Sequence, residues 1–226
     1  MKNDFETKFT GWAFIIGAIF LLAGQELSPH KLGEYFIASD FENIGKNIWI
    51  WIWMYRIYIF GWVIMGLGMI GFASMTFEKE LRILTMPGAG IIIIGTFVTS
   101  LAAAFYYTYG AWGVGKTEGM SIAEIQMFTD NIIITNHYVT CLVRFGRIFS
   151  GVGFVLLGVG LLKFKVMDSW IGIYTALMGI TSVCVILFIH DNFEIYKPLF
   201  FVKVLWLLII GTTILRKGIN LQEKAS

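Results

Sequence analysis

Residues 136–164 read NHYVTCLVRFGRIFSGVGFVLLGVGLLKF. The stretch is long enough to cross the roughly 30 Å hydrocarbon core of a bilayer, which takes about 20 helical residues. Its first half nevertheless carries His137, Thr140, Arg144 and Arg147 at steps of three, four and three residues. On an α-helix that spacing sets all four side chains on one face. Guanidinium groups inside an apolar span are costly and turn toward a protein interior or a polar cavity rather than lipid. The stretch therefore predicts a membrane helix with a polar stripe, and further helices around it to give the stripe an interior.

The rest of the chain agrees with that setting. It has 226 residues, 57% hydrophobic and only 14% charged, with a mean hydropathy of +0.75. Soluble domains carry about 25% charge, so part of this surface must meet lipid. The expectation is an all-α polytopic membrane protein, one integral membrane domain over residues 1–226. Six transmembrane helices are expected, at about 9–27, 48–74, 83–107, 136–164, 170–188 and 198–215. The first is read as a retained span rather than a cleaved signal peptide. Asp4 and Glu6 interrupt a positive start, and no small-x-small cleavage site follows the apolar run.

Between spans one and two, KLGEYFIASDF (31–41) has the make-up of a short interfacial helix. Residues 110–131 read as a second polar loop holding a short helix at 121–128, started by Ser121 and Glu124 in capping-box spacing. Trp49, Trp51, Trp53, Tyr55 and Tyr58 open the second span. Tyr106, Tyr107, Tyr109 and Trp112 close the third. Both groups suit the headgroup level of a bilayer. Pro87 falls near the start of the third span, where proline is tolerated.

An internal echo is present. GWVIMGLGMIGF (61–72) resembles GFVLLGVGLLKF (153–164), with Gly66 over Gly158 and Gly68 over Gly160. Each follows an arginine and precedes a short charged turn and another span. The pattern suggests a helical hairpin duplicated in one orientation, framed by a first and a last helix. Glycines in such spans let helices approach closely, within the chain or between subunits.

Six spans put both termini on one side of the membrane. That side holds Lys2, Lys8, Lys79, Arg82, Lys163, Lys165, Arg216, Lys217 and Lys224, against Lys31, Lys46, Lys116 and Lys197 opposite. The positive-inside rule then predicts a cytoplasmic (inner) membrane protein with both termini in the cytoplasm. Arg56, Arg144, Arg147 and Lys203, all inside spans that enter from outside, fall in the outer half of the bilayer.

These cations have two readings. In one they tie helices together through ion pairs with acids such as Asp191, Glu194 or Asp130. In the other, Arg56, His137, Thr140, Arg144, Arg147 and Lys203 line an outward-facing pocket for a phosphate, a carboxylate or the propionates of a haem. Arginine favours such planar, bidentate recognition.

His137 and His190 cap neighbouring spans and would be the ligands of a b-type haem or a metal, were one bound. With only three histidines in the chain, two haems of bis-histidine type are excluded. Cys141 and Cys184 read as small buried apolar residues, although a disulfide on the outer side is conceivable. GVGKTEG (113–119) lacks the spacing of a phosphate loop. A net charge of +2 with no basic run gives no reason to expect a nucleic-acid partner.

No embedded carboxylate or nucleophile–base pattern appears in the spans, which argues against ion-coupled transport and intramembrane hydrolysis. The expected function is a non-catalytic membrane subunit, in a homo-oligomer or a larger assembly, whose basic pocket holds an anionic lipid or a quinone-like amphiphile. The alternatives are a redox subunit carrying haem b or a metal near His137 and His190, and a small-molecule facilitator.

Overall fold

A computed structural model describes residues 4–27, 36–76, 80–189 and 193–217. They form α1 (Asp4–Leu27), α2 (Ala38–Lys46), α3 (Ile48–Met75), α4 (Arg82–Thr117), α5 (Ile122–Asp130), α6 (Ile133–Phe164), α7 (Ser169–Cys184) and α8 (Phe193–Lys217). No strand occurs among the described residues. The last turn of α7 widens into a π-helical turn at Val185–Ile189. Six of these helical segments are long and apolar enough to span a membrane: Phe5–Leu27, Ile48–Met75, Arg82–Thr117, Ile133–Phe164, Ser169–Ile189 and Ile195–Lys217. The chain is thus a multi-pass, all-α membrane protein.

The six long helices form a ring. α1 packs between α3 and α8, α4 between α3 and α6, and α7 lies against α6 with a lighter contact to α8. Neighbours run antiparallel, as their closest approaches show. Gly71 meets Thr10 while Gly24 meets Tyr58, and Gly88 meets Gly153 while Gly95 meets Gly146. At Gly95 the approach is so close that a Cβ would stand 2.6 Å from the Gly146 carbonyl oxygen, which leaves no room for any side chain. Most glycines of the spans are used in this way inside the chain. Gly90 and Gly115 meet nothing within 4 Å.

The echo has a structural counterpart. Gly61 and Gly68 of α3 lie against the preceding span α1, and Gly66 faces the following span α4. Gly153 and Gly160 of α6 lie against the preceding span α4, and Gly158 faces the following span α7. Each of the two long helices is also preceded by a nine-residue helix, α2 and α5. The Ser121–Glu124 capping box stands as the spacing predicts, with Glu124 N–H donating to Ser121 Oγ and the Glu124 carboxylate accepting from Ser121 N–H.

The third span departs from expectation. α4 continues past Tyr107 to Thr117, so residues 110–117 are helix, not loop. Its 36 residues reach about 54 Å at 1.5 Å per residue, well beyond the hydrocarbon core. Gly110 and Gly113 look like loop signals in the sequence, but they are contact points. The Trp51 indole lies on Gly110 and the Phe41 ring on Gly113, so packing overrides weak helix propensity. Phe36, Phe41, Trp51, Tyr55, Tyr106, Tyr109 and Phe128 stack into one aromatic cluster that fastens α2 and α5 over this end of the ring. Because the helix starts at Arg82, Pro87 sits in its second turn rather than its first.

The cysteines are less buried than the reading above expects. Both thiols are free, Cys141 is exposed, and Cys184 is half-buried in a shallow apolar groove with Val152, Val155 and Val183.

Candidate functional site

The polar stripe of α6 lies across the edge of that helix's buried face. The centre of the face is set by Val139, Val143, Gly146, Ser150 and Phe154. Successive residues turn by about 100°, which places Arg147 and Thr140 just inside the border, Arg144 on it and His137 beyond it. Exposure follows that order. Thr140 and Arg147 are buried, Arg144 is half-buried and His137 is exposed. The stripe is one face, but only part of it enters the interior.

Arg147 and Lys203 come together there. They are 8% and 6% exposed, and they converge on Tyr196 of α8. The Arg147 guanidinium lies 3.8 Å from the centroid of the Tyr196 ring and the Lys203 ammonium 4.9 Å from it. Lys203 Nζ also donates to the Tyr196 hydroxyl. Cation–ring contacts of this kind are worth about 2 kcal/mol or more when desolvated. Two like charges less than about 10 Å apart repel by roughly 2 kcal/mol at an effective dielectric constant near 20. The phenol ring between them offsets much of that cost.

Arg147, Tyr196 and Lys203 line a largely enclosed cavity of about 20 Å³ with Gln25, Tyr58, Trp62, Thr99, Gly146, Ser150 and Phe200. Five of the six long helices contribute to it. Room for one water needs about 10–15 Å³, so one or two water-sized groups fit. Among the described residues no carboxylate lines this cavity. Thr99 and Ser150 have their protons committed to the Gly95 and Gly146 carbonyls, at 2.9 and 2.8 Å. The Trp62 indole N–H is buried, and its ring packs edge to face on Tyr58 at 5.8 Å.

Toward the end of the ring that carries the termini, the interior becomes largely apolar. A second void of about 10 Å³ beneath the first is lined by Leu21, Met65, Phe154 and Leu207 and still bordered by Ser150 and Lys203. Phe14, Trp206 and Phe154 then stack edge to face, with centroids 5.9 and 4.8 Å apart. All three rings are 2% exposed or less. The Trp206 indole is held by Thr175 Oγ1 of α7 at 2.6 Å.

The other residues of the proposed pocket lie apart from this cavity. Arg56 is exposed on the far side of α3, where it donates to the Tyr107 hydroxyl at 3.0 Å and covers the Trp53 ring at 5.3 Å. Thr140 is buried with its hydroxyl unpartnered among the described residues, one turn from the similarly buried Asn136. His190, Asp191 and the side chain of Glu194 lie outside the described residues, so the ion-pair and metal readings that use them rest on the sequence. His30 is outside them as well. Among the described residues no three His, Cys, Asp or Glu side chains gather as a metal site.

Sequence reasoning missed Tyr196, Trp62 and Gln25. The signal for Tyr196 was available, since it stands seven residues before Lys203 and therefore two turns away on the same face of α8. Trp62 and Gln25 come from other helices, and no local spacing could reveal them. Comparison of the chain with protein-family models, with curated proteins and with solved structures finds no match.

Proposed function

We propose that this chain is a non-catalytic component of an inner-membrane assembly that holds the anionic head of a lipid or quinone-like amphiphile at Arg147 and Lys203. The two cations are buried, come from different helices and face one cavity. That is the observation supporting the reading. Both lie in the half of the ring away from the termini. With the termini in the cytoplasm, as the distribution of lysine and arginine favours, the site faces the outer leaflet. The apolar layer of Phe14, Leu21, Met65, Phe154 and Trp206 beneath it favours holding over passage.

The test is to purify the protein in mild detergent and extract what remains bound. Mass spectrometry of the wild type is expected to find an anionic amphiphile at near-stoichiometric amount. The double variant Arg147→Gln, Lys203→Met is expected to lose it, and the particle mass reports any accompanying loss of assembly. Equal content and equal mass in both proteins would overturn the reading. An absorption spectrum with a Soret band that disappears on replacing His137 would instead favour the haem alternative.

A further inference from the structure

We propose that Arg56, held by Trp53 and Tyr107, is a lipid-facing site for the phosphate of one anionic phospholipid, in the leaflet at the end of the ring away from the termini. The site is separate from the Arg147–Lys203 cavity and does not rest on the reading of that cavity.

The argument starts from where the charge stands. Trp49, Trp53, Arg56, Phe60, Val63 and Leu67 of α3 are all exposed, at steps of four and three residues. That spacing is one helix face, and it looks out of the ring toward lipid. Arg56 is the one charge among the six. A guanidinium on such a face is costly unless it reaches the headgroup level. Arg56 lies eight residues from the start of α3 at Ile48, and helical side chains lean back toward the N-terminal end. The guanidinium accordingly lies 5.3 Å from the centroid of the Trp53 ring, an exposed indole of the kind that marks the headgroup boundary.

The group is also held in place. Arg56 Nη2 donates to the Tyr107 hydroxyl at 3.0 Å, with the Tyr107 ring centroid 5.7 Å away. Tyr107 belongs to α4, so the side chain bridges two helices. Arginine has five N–H groups, and this bond takes one. No ion pair engages Arg56 among the described residues. Glu42, an acid of the neighbouring α2, is bound to Lys46 at 2.8 Å. An ordered guanidinium therefore presents donors and charge to the bilayer. A phosphate offers the paired oxygens that a guanidinium binds in bidentate fashion. Below it, Phe60, Val63 and Leu67 continue the exposed face. From Arg56 to Leu67 is about 16 Å at 1.5 Å per residue, roughly one leaflet of a 30 Å core. That is an apolar track for the acyl chains of the same lipid. A zwitterionic headgroup brings its own cation to compete for the phosphate, so a headgroup of net negative charge binds best.

Native mass spectrometry of the full chain, stripped of lipid in detergent and titrated with dioleoylphosphatidylglycerol or dioleoylphosphatidylcholine, tests the proposal. The wild type is expected to retain one phosphatidylglycerol in preference to phosphatidylcholine. Arg56→Gln, at an exposed position, is expected to keep the Tm and to weaken phosphatidylglycerol binding about tenfold, as loss of a charge-assisted hydrogen bond does. Tyr107→Phe, which keeps the ring and removes the hydroxyl, is expected to weaken it less. Arg147→Gln, Lys203→Met is expected to leave this lipid in place. Glycerol 3-phosphate, which has no chains, is expected not to displace it; displacement at equal concentration would show a site for free phosphate and overturn the proposal. Equal retention by the wild type and Arg56→Gln, or equal binding of the two lipids by the wild type, also overturns it. If Arg56→Gln sheds a protein subunit while its lipid content is unchanged, a partner's carboxylate holds Arg56 and the inference fails. If only the Arg147 and Lys203 double variant loses lipid, the cavity reading stands and this one fails.

Discussion

Laying Gly61 of α3 on Gly153 of α6 brings two helices into register whose burial agrees and whose chemistry does not. Trp51 and Val143, Trp62 and Phe154, Met65 and Leu157, and Met69 and Leu161 are buried in both helices. Two further pairs differ in kind. Tyr55 of α3 stands where α6 has Arg147, and Tyr58 stands where α6 has Ser150. In α3 the face is closed by rings, with Tyr55 4.5 Å from Trp51 and 6.5 Å from Tyr106. In α6 it is opened by a charge and a small hydroxyl. At the first pair the slot is sealed by rings in α3 and borders the cavity in α6, whereas Tyr58 and Ser150 of the second pair both line the cavity.

The comparison breaks most severely if the charge can be moved. Tyr55→Arg places a guanidinium among Trp51, Tyr106 and Phe36 at a position only 2% exposed. An uncompensated buried charge costs several kcal/mol, so this variant is expected to yield no monodisperse protein. Arg147→Tyr, the reverse exchange, is expected to fold and to lose the ligand. Good yield of Tyr55→Arg at an unchanged Tm would show that the two slots are equivalent after all.

The paired glycines sharpen the contrast at smaller cost. A Cβ at Gly158 would lie 2.4 Å from the Ala176 backbone nitrogen, whereas the nearest atom to one at Gly66 is Thr96 Oγ1 at 3.8 Å. Gly158→Ala is expected to destabilise by roughly 1–3 kcal/mol, as overpacking does. Gly66→Ala is expected to be neutral or to stabilise by up to about 1 kcal/mol through helix propensity. Unfolding in detergent compares the two. The helix ends differ too. Lys165 closes α6 in the left-handed region at φ 49°, while Thr76 closes α3 by donating to the Ala73 carbonyl. Lys165→Gly is expected to add up to about 1 kcal/mol, with no such gain from Thr76→Gly.

How much of this could be read from the chain alone depends on range. The six spans, the α5 cap and the glycine echo are local patterns of hydropathy and spacing, and they stand in the structure. Residues 110–117 misled because Gly110, Gly113 and Gly115 signal a loop, yet Trp51 and Phe41 supply the packing that keeps the segment helical. The stripe on α6 was legible as a face, but its angular offset from the buried centre was not, and that offset leaves His137 outside and brings Arg147 in. Arg56 and Lys203 look alike in the sequence, each a cation some way inside a span. Their fates differ because Arg56 finds Tyr107 and Trp53 at the surface, while Lys203 finds Tyr196 inside.

The two short helices give the smallest and most local version of the same comparison. In α2 the N-terminal turn is held by the Asp40 carboxylate, which accepts from Ile37 N–H at 2.7 Å. In α5 the Glu124 carboxylate accepts from both the N–H and the hydroxyl of Ser121, each at 2.8 Å. Those two bonds hold the Glu124 carboxyl below its ordinary range. A group that binds its proton more weakly when folded contributes its full stabilisation above the ordinary carboxylate range. The contribution is lost as the pH falls through the lowered value. Amide hydrogen exchange over residues 122–130 is therefore expected to lose protection on acidification from pH 6 to about pH 3, relative to α3 as internal reference. Glu124→Gln keeps an acceptor without a titrating group and is expected to remove the pH dependence. Ser121→Ala is expected to lower protection at every pH, by the roughly 1 kcal/mol of a lost cap. If α5 in the wild type and in Glu124→Gln responds to acid alike, the cap is not what holds this helix over the ring. The aromatic contacts of Phe128 with Phe41 and Tyr109 then remain as its fastening.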